Sequence, residues 1–327
     1  MVSDLRAEAL GQWLSRDLGL MNYQMTIASG DASFRRYFRL RRKDISLIVM
    51  DAPPERENPS AFIYLANELS KLGLNVPKVL AQDLAQGFLL LSDLGEHQYL
   101  NRLNSNSAQR LYGDALAALL ILQSEGAGVL NLPLYTRDLL IKEMKLFGDW
   151  YLGQHLNVQI ETALDNLFKI LADSALDQPQ VPVHRDYHSR NLMVTEKDNP
   201  GILDFQDAVK GPVTYDLVSL LRDCYIAWPQ EKVVDWLYDY QQAAMRLKIL
   251  VAVRPLEFMR WFDWMGVQRH LKAIGIFTRL NYRDGKSGYL KDIPRILSYL
   301  SIVANQYSEL ADLAELLREL PKPKVIE

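Results

Sequence analysis

The spacing of the apolar residues changes near residue 95, and this change limits the folds that the chain can adopt. Up to that point, short runs of β-branched and aromatic residues predict strands separated by turns, with one helix among them. Beyond it, apolar residues recur every three or four positions, which predicts helices. We therefore expect an α+β fold with a small lobe at 1–95, built on an antiparallel sheet and one helix, and a larger, mainly helical lobe at 96–327.

The predicted elements have the following bounds. Strands are expected at 22–29, 37–42, 45–51, 76–81 and 87–92, with the single helix of the small lobe at 58–73. Helices are expected at 106–124, 137–152 and 159–174, and again after Thr214. Between them, residues 181–205 contain VPVH, LMVT, a DNPG turn and GILDF. This turn chemistry is typical of a β-hairpin, which would be embedded in the helical lobe.

Composition excludes several classes of protein. Hydrophobic residues make up 49% and charged residues 24%, which is typical of soluble globular proteins. No apolar run approaches the ~18–20 residues that cross a bilayer, and the acidic start MVSDLRAEALGQWL does not resemble a signal peptide. The single cysteine, Cys224, excludes an internal disulfide and a cysteine metal site, so we predict a cytoplasmic protein.

A net charge of −3 argues against general nucleic-acid binding. We expect a small-molecule substrate and no membrane, nucleic acid or obligate protein partner.

One local run departs from this charge balance. RRYFRLRRK, residues 35–43, has six cations in nine positions. The run is consistent with the solvated face of a β-hairpin, as most charge runs are. It is also consistent with one or two arginines that contact phosphate. Both interpretations stay open.

Polar residues lie at both ends of the predicted hairpin. HRDYHSRN, residues 184–191, precedes it, and LDFQD follows it. Because a hairpin returns the chain, Asn191 and Asp204 are expected side by side. An amide and a carboxylate are hard oxygen ligands that suit Mg²⁺. A further carboxylate, Asp186, can orient and deprotonate a hydroxyl. Together these are the groups that phosphoryl transfer from ATP requires.

These motifs resemble known families. His184-Arg185-Asp186 with Asn191, followed by Asp204-Phe205, resembles the catalytic and metal motifs of protein-kinase-like enzymes. The longer string HRDYHSRN…ILDFQDAVKGPVTYDL resembles the aminoglycoside phosphotransferase family. GDASFRRYFRL, GPVTYDLVSLLRDCY and MGVQRHLKAIGIF are similar to the anomeric N-acetylmuramate/N-acetylglucosamine kinases of bacterial cell-wall recycling.

The resemblance implies a bilobal protein-kinase-like fold whose small lobe binds the nucleotide. It implies ATP and Mg²⁺ as cofactors and transfer of the γ-phosphoryl group to the anomeric hydroxyl of an amino sugar, giving the α-1-phosphate. It implies that backbone groups near Leu91 and Asp93 meet adenine. The remaining roles that it implies are catalysis by Asp186 and His188, metal binding by Asn191 and Asp204, and structural support by His184 and Asp216.

The sequence departs from the kinase pattern twice. The turn GDASFRR has one glycine, Gly30, where protein kinases have a glycine-rich loop, although Ser33 could add a donor for phosphate. Met50 stands where the third strand should carry a phosphate-binding lysine, which leaves Glu68 without its expected partner. The missing cation is then supplied either by Mg²⁺ alone or, as we prefer, by one of three arginines of the cation run, namely Arg35, Arg36 and Arg39.

The acceptor should be a small molecule. Only eleven residues separate Asp204 from Asp216, which leaves little room for a peptide-binding platform. Residues 255–291 carry seven Lys or Arg against three acids, which suits a neutral or anionic acceptor better than a polycation. Candidate acceptor-binding residues are Glu143, Asp207, Asp263, Gln268 and His270. The alternatives are a kinase for another acceptor, such as an aminoglycoside or an amino alcohol, and a nucleotide-binding regulatory module without turnover.

Overall fold

A computed structural model describes residues 4–29, 35–43, 45–158 and 164–321. Over these residues the chain has the predicted α+β fold, with a small lobe built on a sheet and a larger helical lobe. The elements of the small lobe are α1 (Leu5–Gln12), β1 (Gln24–Ser29), β2 (Arg36–Arg42), β3 (Ile45–Asp51), α2 (Ser60–Lys71), β4 (Val79–Asp83) and β5 (Phe88–Ser92). The division of the domains at residue 95 stays a prediction.

The described strands of the small lobe form one antiparallel sheet in the order β1-β2-β3-β5-β4. Because successive side chains of a strand point to opposite faces, β2 and β3 contribute to two different cores. Phe38 and Val49 pack with α1 on the outer face. Met50 packs with α2 on the inner face, which is directed toward the helical lobe. Each face of the sheet is therefore covered by one helix.

The helical lobe begins after β5. Its helices are α3 (Ala108–Glu125), α4 (Arg137–Leu146), α5 (Asp165–Leu176), α6 (Tyr215–Leu221), α7 (Gln230–Arg246), α8 (Pro255–Asp284), α9 (Ile293–Ala304) and α10 (Ala311–Glu319). The predicted helix at 137–152 instead ends as α4 at Leu146 and continues as a π-helical segment, Phe147–His155. Among the described residues, no helix combines the length and the apolar character needed to cross a bilayer.

The predicted hairpin is present but short. Its strands are β7 (Leu192–Met193) and β8 (Gly201–Ile202), in antiparallel register. The VPVH segment lies outside it, because β6 (Gln180–Val183) pairs instead with β9 (Val209–Pro212). The sequence of β9, VKGP, contains glycine and proline, so its composition did not predict a strand.

The hairpin is fixed at the boundary between the lobes. Ile202 N donates to the Asn75 carbonyl at 2.7 Å, and Val194 N donates to the His97 carbonyl at 2.7 Å. The ring of Phe205, just after β8, stacks on Phe62 of α2 with 5.0 Å between centroids. These contacts hold both ends of the hairpin at the boundary between the lobes.

Helices α4 and α8 approach closely at Gly275. A Cβ added at Gly275 would lie 2.4 Å from the carbonyl carbon of Leu146, so only glycine allows this separation. One turn earlier on each helix, Lys272 Nζ lies 3.0 Å from Glu143 Oε1. The close crossing therefore brings these two charged side chains together.

Candidate active site

A cleft of about 750 Å³ lies between the lobes, and a second pocket of about 360 Å³ adjoins it under the sheet. The cleft is lined by Asp186 and by residues of α8. The second pocket is lined by apolar side chains of both lobes, among them Ile48, Leu91 and Met193. Asn191 and Asp204 line both spaces, so the predicted metal-binding residues lie where the two spaces meet.

The loop that carries Asp186 is held by buried hydrogen bonds. Asp216 accepts from the backbone N–H groups of His184, at 2.6 Å, and Arg185, at 3.0 Å. Nε2 of His184 lies 2.9 Å from the Leu203 carbonyl, just before Asp204. Burial lowers the pKa of His184, so its ring is neutral near pH 7 and donates this hydrogen bond. The loop and the end of the hairpin are thus joined through residues that do not line the cleft.

Asp186 has the electrostatics of a carboxylate that stays ionised. Burial alone would raise its pKa, but the positive charges of Lys272 and Arg269 outweigh burial and lower the pKa below its usual value. His188 contributes little charge, because burial lowers the pKa of its own ring. At neutral pH Asp186 is therefore an anion that can accept a proton or a hydrogen bond from a hydroxyl.

Asn191 and Asp204 lie side by side, as the hairpin predicted. Nδ2 of Asn191 lies 3.0 Å from the Asp186 carbonyl and 3.3 Å from Asp204 Oδ2. Burial, together with the nearby charge of Asp186, raises the pKa of Asp204. Within the described ranges, no group of three or more His, Cys, Asp or Glu is placed to hold a metal ion. The pair still fits Mg²⁺, which commonly takes one or two protein oxygens together with phosphates and water.

His188 also lines the cleft. Its Nδ1 is buried and makes no hydrogen bond with the described residues, and its ring meets the edge of Tyr225 at 5.3 Å. Ser189 N and Tyr225 N both donate to Asp223 at 2.9 Å. Asp223 therefore fixes the second half of the loop, as Asp216 fixes the first. Sequence reasoning did not identify Asp223, although the acid lies directly before Cys224 in one of the matching segments.

The arginines of the cation run separate by strand face. Arg36 lies on the outer face, where it bonds the buried Asp51 at 2.6 Å and its guanidinium lies over Phe38. Its side chain therefore lines neither space, and we no longer assign Arg36 to the nucleotide. Arg39 lies on the inner face, lines the second pocket and bonds Asp93 at 2.6 Å. Arg35 lines the cleft and bonds Glu57 at 2.9 Å.

The structure describes the remaining residues of the predicted nucleotide site only in part. Met50 is completely buried in the core, and Glu68 pairs with Lys71 at 2.6 Å, so no cation stands at the position of the missing lysine. Leu91 and Asp93 line the second pocket, as an adenine site requires. Gly30 and Ser33 lie outside the described residues.

Arg190 is a cleft residue that the sequence motifs did not reveal. It lines both the cleft and the second pocket, directly before Asn191. Its guanidinium lies 3.9 Å from the centre of the Tyr225 ring. Arg190 is the second arginine of HRDYHSRN, and it lies outside the motif positions that carry the family resemblance.

Two acceptor candidates lie near Asp186. Glu143 and Asp207 line a third space, of about 280 Å³, together with Asp186. Glu143 is buried and bonds Arg185, Lys272 and the hydroxyl of Tyr135. Burial would raise the pKa of Glu143, but the two cations outweigh it and lower the pKa. Glu143 is therefore an anion that already has two positive partners.

The other three acceptor candidates are interior residues, and their assignment is corrected. Asp263 bonds Arg222 at 2.6 Å and accepts from the Tyr307 hydroxyl at 2.6 Å. His270 Nε2 lies 3.0 Å from the Arg222 carbonyl, and Gln268 is fully buried. None of these candidates lines the cleft, because each is buried within the helical lobe.

The two-lobed fold and its loop define a phosphotransferase of the kinase-like class. The chain belongs to the phosphotransferase enzyme family, APH, whose family model matches residues 24–256. It is 49% identical over 300 residues to the N-acetylmuramate/N-acetylglucosamine kinase of Pseudomonas aeruginosa, covering 90% of this chain and 88% of the relative. It is 45% identical to the Pseudomonas putida kinase of the same name, with 97% of each chain covered.

A solved structure supports the fold. Choline kinase LicA from Streptococcus pneumoniae superimposes with a TM-score of 0.62, covering 92% of this chain and 100% of that chain at 13% identity. At this identity the likeness concerns the fold alone. The predicted kinase-like fold, family and phosphotransferase class are confirmed by these comparisons and by the described architecture.

Proposed function

We propose that this chain transfers the γ-phosphoryl group of ATP to the anomeric hydroxyl of N-acetylmuramate and N-acetylglucosamine, giving the α-1-phosphate in cell-wall recycling. The observation that carries the proposal is that Asn191 and Asp204 lie where the cleft joins the second pocket, with Asp186 beside them in the cleft. The relatives that cover most of the chain are named for these two sugars. We place the reaction in the cytoplasm, with no obligate protein partner.

Asp186 acts as the base or orienting carboxylate. It is ionised at neutral pH, and its loop is fixed by Asp216 and Asp223 before any substrate arrives. A fixed carboxylate can accept the acceptor proton without first being ordered. The anomeric hydroxyl is more acidic than an ordinary alcohol, so a carboxylate is a sufficient base for it.

The nucleotide would occupy the second pocket. Apolar side chains such as Ile48 and Met193 form walls suited to a planar base, and the backbone near Leu91 and Asp93 supplies polar groups. The phosphates would then reach Asn191 and Asp204, which would hold Mg²⁺. When bound there, Mg²⁺ neutralises charge that develops on the transferred phosphoryl group.

The protein also places its own cations near this point. Arg35 and Arg190 line the cleft, and Arg39 lines the second pocket. Because Met50 is buried in the core, we propose that these arginines supply the positive charge that a strand lysine supplies in protein kinases. His188 lies in the cleft on the same loop and could donate to a phosphoryl oxygen from its neutral ring.

Two alternatives are less well supported. The cleft is lined by four cations and four acids, so it lacks the excess of negative charge that a polycationic aminoglycoside or a choline-like acceptor would favour. A regulatory module without turnover would not need an ionised Asp186 beside a metal-binding pair. Both alternatives predict measurable outcomes that differ from those of the sugar kinase.

The test is ATP turnover by the purified full chain with and without Mg²⁺. The acceptors are N-acetylmuramate, N-acetylglucosamine, an aminoglycoside and choline, and the product anomer is identified by phosphorus NMR. We expect turnover of both sugars, none without Mg²⁺, and almost none in Asp186→Asn. Turnover confined to the aminoglycoside or choline would refute the acceptor, and ATP binding without any turnover would favour the regulatory module.

A further inference from the structure

Arg269 is a buried cation that lines the acceptor cleft. It belongs to α8, is only 5% exposed, and lies among the residues that line the space in front of Asp186. Nη1 donates to Cys224 Sγ at 3.4 Å, and Nε is buried without a hydrogen-bond partner among the described residues. A thiol is a weak acceptor, so this guanidinium is poorly satisfied by its surroundings.

The positive charge of Arg269 interacts with the nearby Asp186 but has no carboxylate among the described residues in direct contact. In the part of the chain that the structure describes, no carboxylate forms a salt bridge with it. Burial raises the pKa of the Cys224 thiol, which therefore stays a neutral S–H at pH 7 and supplies no negative charge. Buried charges in proteins are normally paired, because removing an ion from water is costly. An unpaired buried arginine on the wall of a cleft indicates an anionic ligand.

The other cations of the cleft either have a charged partner or are less buried. Lys272 is paired with Glu143 at 3.0 Å, and Arg35 is paired with Glu57 at 2.9 Å. Arg190 is less buried, and its guanidinium stacks on Tyr225 beside the metal-binding pair. Among the described cations of the cleft, Arg269 thus combines deep burial with the lack of a charged partner.

The position of Arg269 suits the acceptor rather than the nucleotide. It lines the cleft but not the second pocket, and its charge acts on Asp186. Tyr225 and Phe277, whose rings stack 5.9 Å apart, line the same cleft and form an apolar part of its wall. An acceptor in the cleft beside this wall would have its hydroxyl near Asp186 and a substituent near Arg269.

We propose that Arg269 binds the carboxylate of the acceptor and so makes the enzyme select N-acetylmuramate over N-acetylglucosamine. The inference rests on the proposed function, and it adds the residue that distinguishes the two sugars. They differ by the lactyl ether of N-acetylmuramate, which ends in a carboxylate. A guanidinium can bond both oxygens of a carboxylate, which gives the contact its geometry as well as its charge.

The experiment changes the charge on both sides of the contact. The full chain is assayed with N-acetylmuramate and with its lactyl amide, which is neutral and has nearly the same shape. In the wild type we expect a higher kcat/KM for the acid than for the amide. In Arg269→Gln we expect the acid-to-amide ratio to fall by about thirtyfold or more, the lower end for losing one partner of a buried charge pair. N-acetylglucosamine is measured alongside to detect a general loss of activity.

Two further variants separate a binding role from other effects. Arg283→Gln removes an exposed arginine of the same helix that pairs with Asp284, and it should leave the ratio unchanged. Arg269→Lys keeps the charge but not the two-pronged geometry, so its ratio should lie between those of the wild type and Arg269→Gln. If Arg269→Gln does not fold, as judged by circular dichroism, the ratio of Arg269→Lys decides the question.

Several results would overturn the proposal. A loss of the same factor for acid, amide and N-acetylglucosamine in Arg269→Gln would mean that Arg269 supports Asp186 rather than binding the acceptor. Equal kcat/KM for acid and amide in the wild type, or an unchanged ratio in Arg269→Lys, would contradict it as well. A wild type that phosphorylates neither sugar would instead refute the proposed function, which is a distinct and earlier failure.

Discussion

Two short stretches share three kinds of polar residue but have very different surroundings. Residues 184–191, HRDYHSRN, and residues 263–270, DWMGVQRH, each contain an aspartate, an arginine and a histidine. The first stretch forms a loop whose Asp186, His188 and Arg190 line the cleft. The second lies within α8, where Asp263 and His270 contact Arg222 in the interior. Polar composition therefore does not by itself distinguish a reactive loop from a buried network.

The difference arises from what packs against each backbone. The loop adjoins the hairpin at the boundary of the lobes, so Asp186, His188 and Arg190 face an open space. Helix α8 is enclosed by other helices of the lobe, and a polar side chain there must find a buried partner. Arg269 is the informative exception in the second stretch, because it lines the cleft while its neighbours His270 and Gln268 do not. The comparison yields four predictions, given from the largest expected effect to the smallest.

Asp186→Asn should reduce kcat by about 10²–10⁴-fold, because the amide cannot accept the acceptor proton. The free energy of unfolding should fall modestly, because cations lower the pKa of Asp186 and its charge therefore stabilises the folded chain. Steady-state kinetics and urea unfolding check the two parts. A residual kcat above one tenth of the wild type would mean that the loop does not carry the base.

Asp263→Asn should reduce the free energy of unfolding and leave kcat nearly unchanged. Removing one partner leaves the guanidinium of Arg222 buried without its charge partner, which should cost about 3–5 kcal/mol of the free energy of unfolding. The folded enzyme at low temperature should keep kcat within about threefold of the wild type. The matched control is Asp312→Asn, an exposed acid of α10. If Asp263→Asn lost activity without losing stability, Asp263 would again be a candidate acceptor-binding residue.

Acid should weaken the buried network through His270. Burial lowers the pKa of His270 to about 3, whereas an unfolded histidine has a pKa near 6.5. Unfolding therefore takes up a proton below pH 6.5, and the stability present above that pH is lost as the pH falls toward 3. Between pH 7 and 5.5 this amounts to about 1.3 kcal/mol. Urea unfolding of His270→Gln at pH 7 and 5.5 should show a dependence smaller by that amount.

Two arginines of the cation run also differ in their surroundings, and we expect a smaller difference in their effects. Arg39 faces the second pocket, and Arg36 faces the outer core. Arg39→Gln should raise KM for ATP by about three- to tenfold, because it releases Asp93 at the edge of that pocket. Arg36→Gln should leave KM for ATP within about twofold of the wild type. Equal effects of the two variants would show that strand alternation does not separate their roles.

Much of the site could be predicted because its geometry is local. A hairpin returns the chain whatever surrounds it, so the sequence alone placed Asn191 beside Asp204, and the spaced motifs placed Asp186 near them. The roles of these residues stay predictions until the variants are measured. The family and the kinase-like fold followed from several motifs in a fixed order.

The remaining parts depended on packing that no local pattern reports. Helical spacing showed that Asp263 and His270 share a side of α8, but not that this side meets Arg222. Alternation along β2 separated Arg36 from Arg39, but only the packing of α1 on the outer face shows which of them reaches the nucleotide pocket. Arg269 was counted among the basic residues of α8, and its burial beside a neutral thiol became visible in the structure.

The crossing at Gly275 has a consequence for engineering. Glu143 and Lys272 line the space of about 280 Å³ beside Asp186, and their separation depends on a contact one turn away in which a methyl group has no room. Mutant libraries aimed at new acceptors should therefore vary residues that line the cleft and keep Gly275 constant. A library that includes position 275 would return inactive clones whose defect resembles a lost substrate contact, although Gly275 itself lies outside the cleft lining.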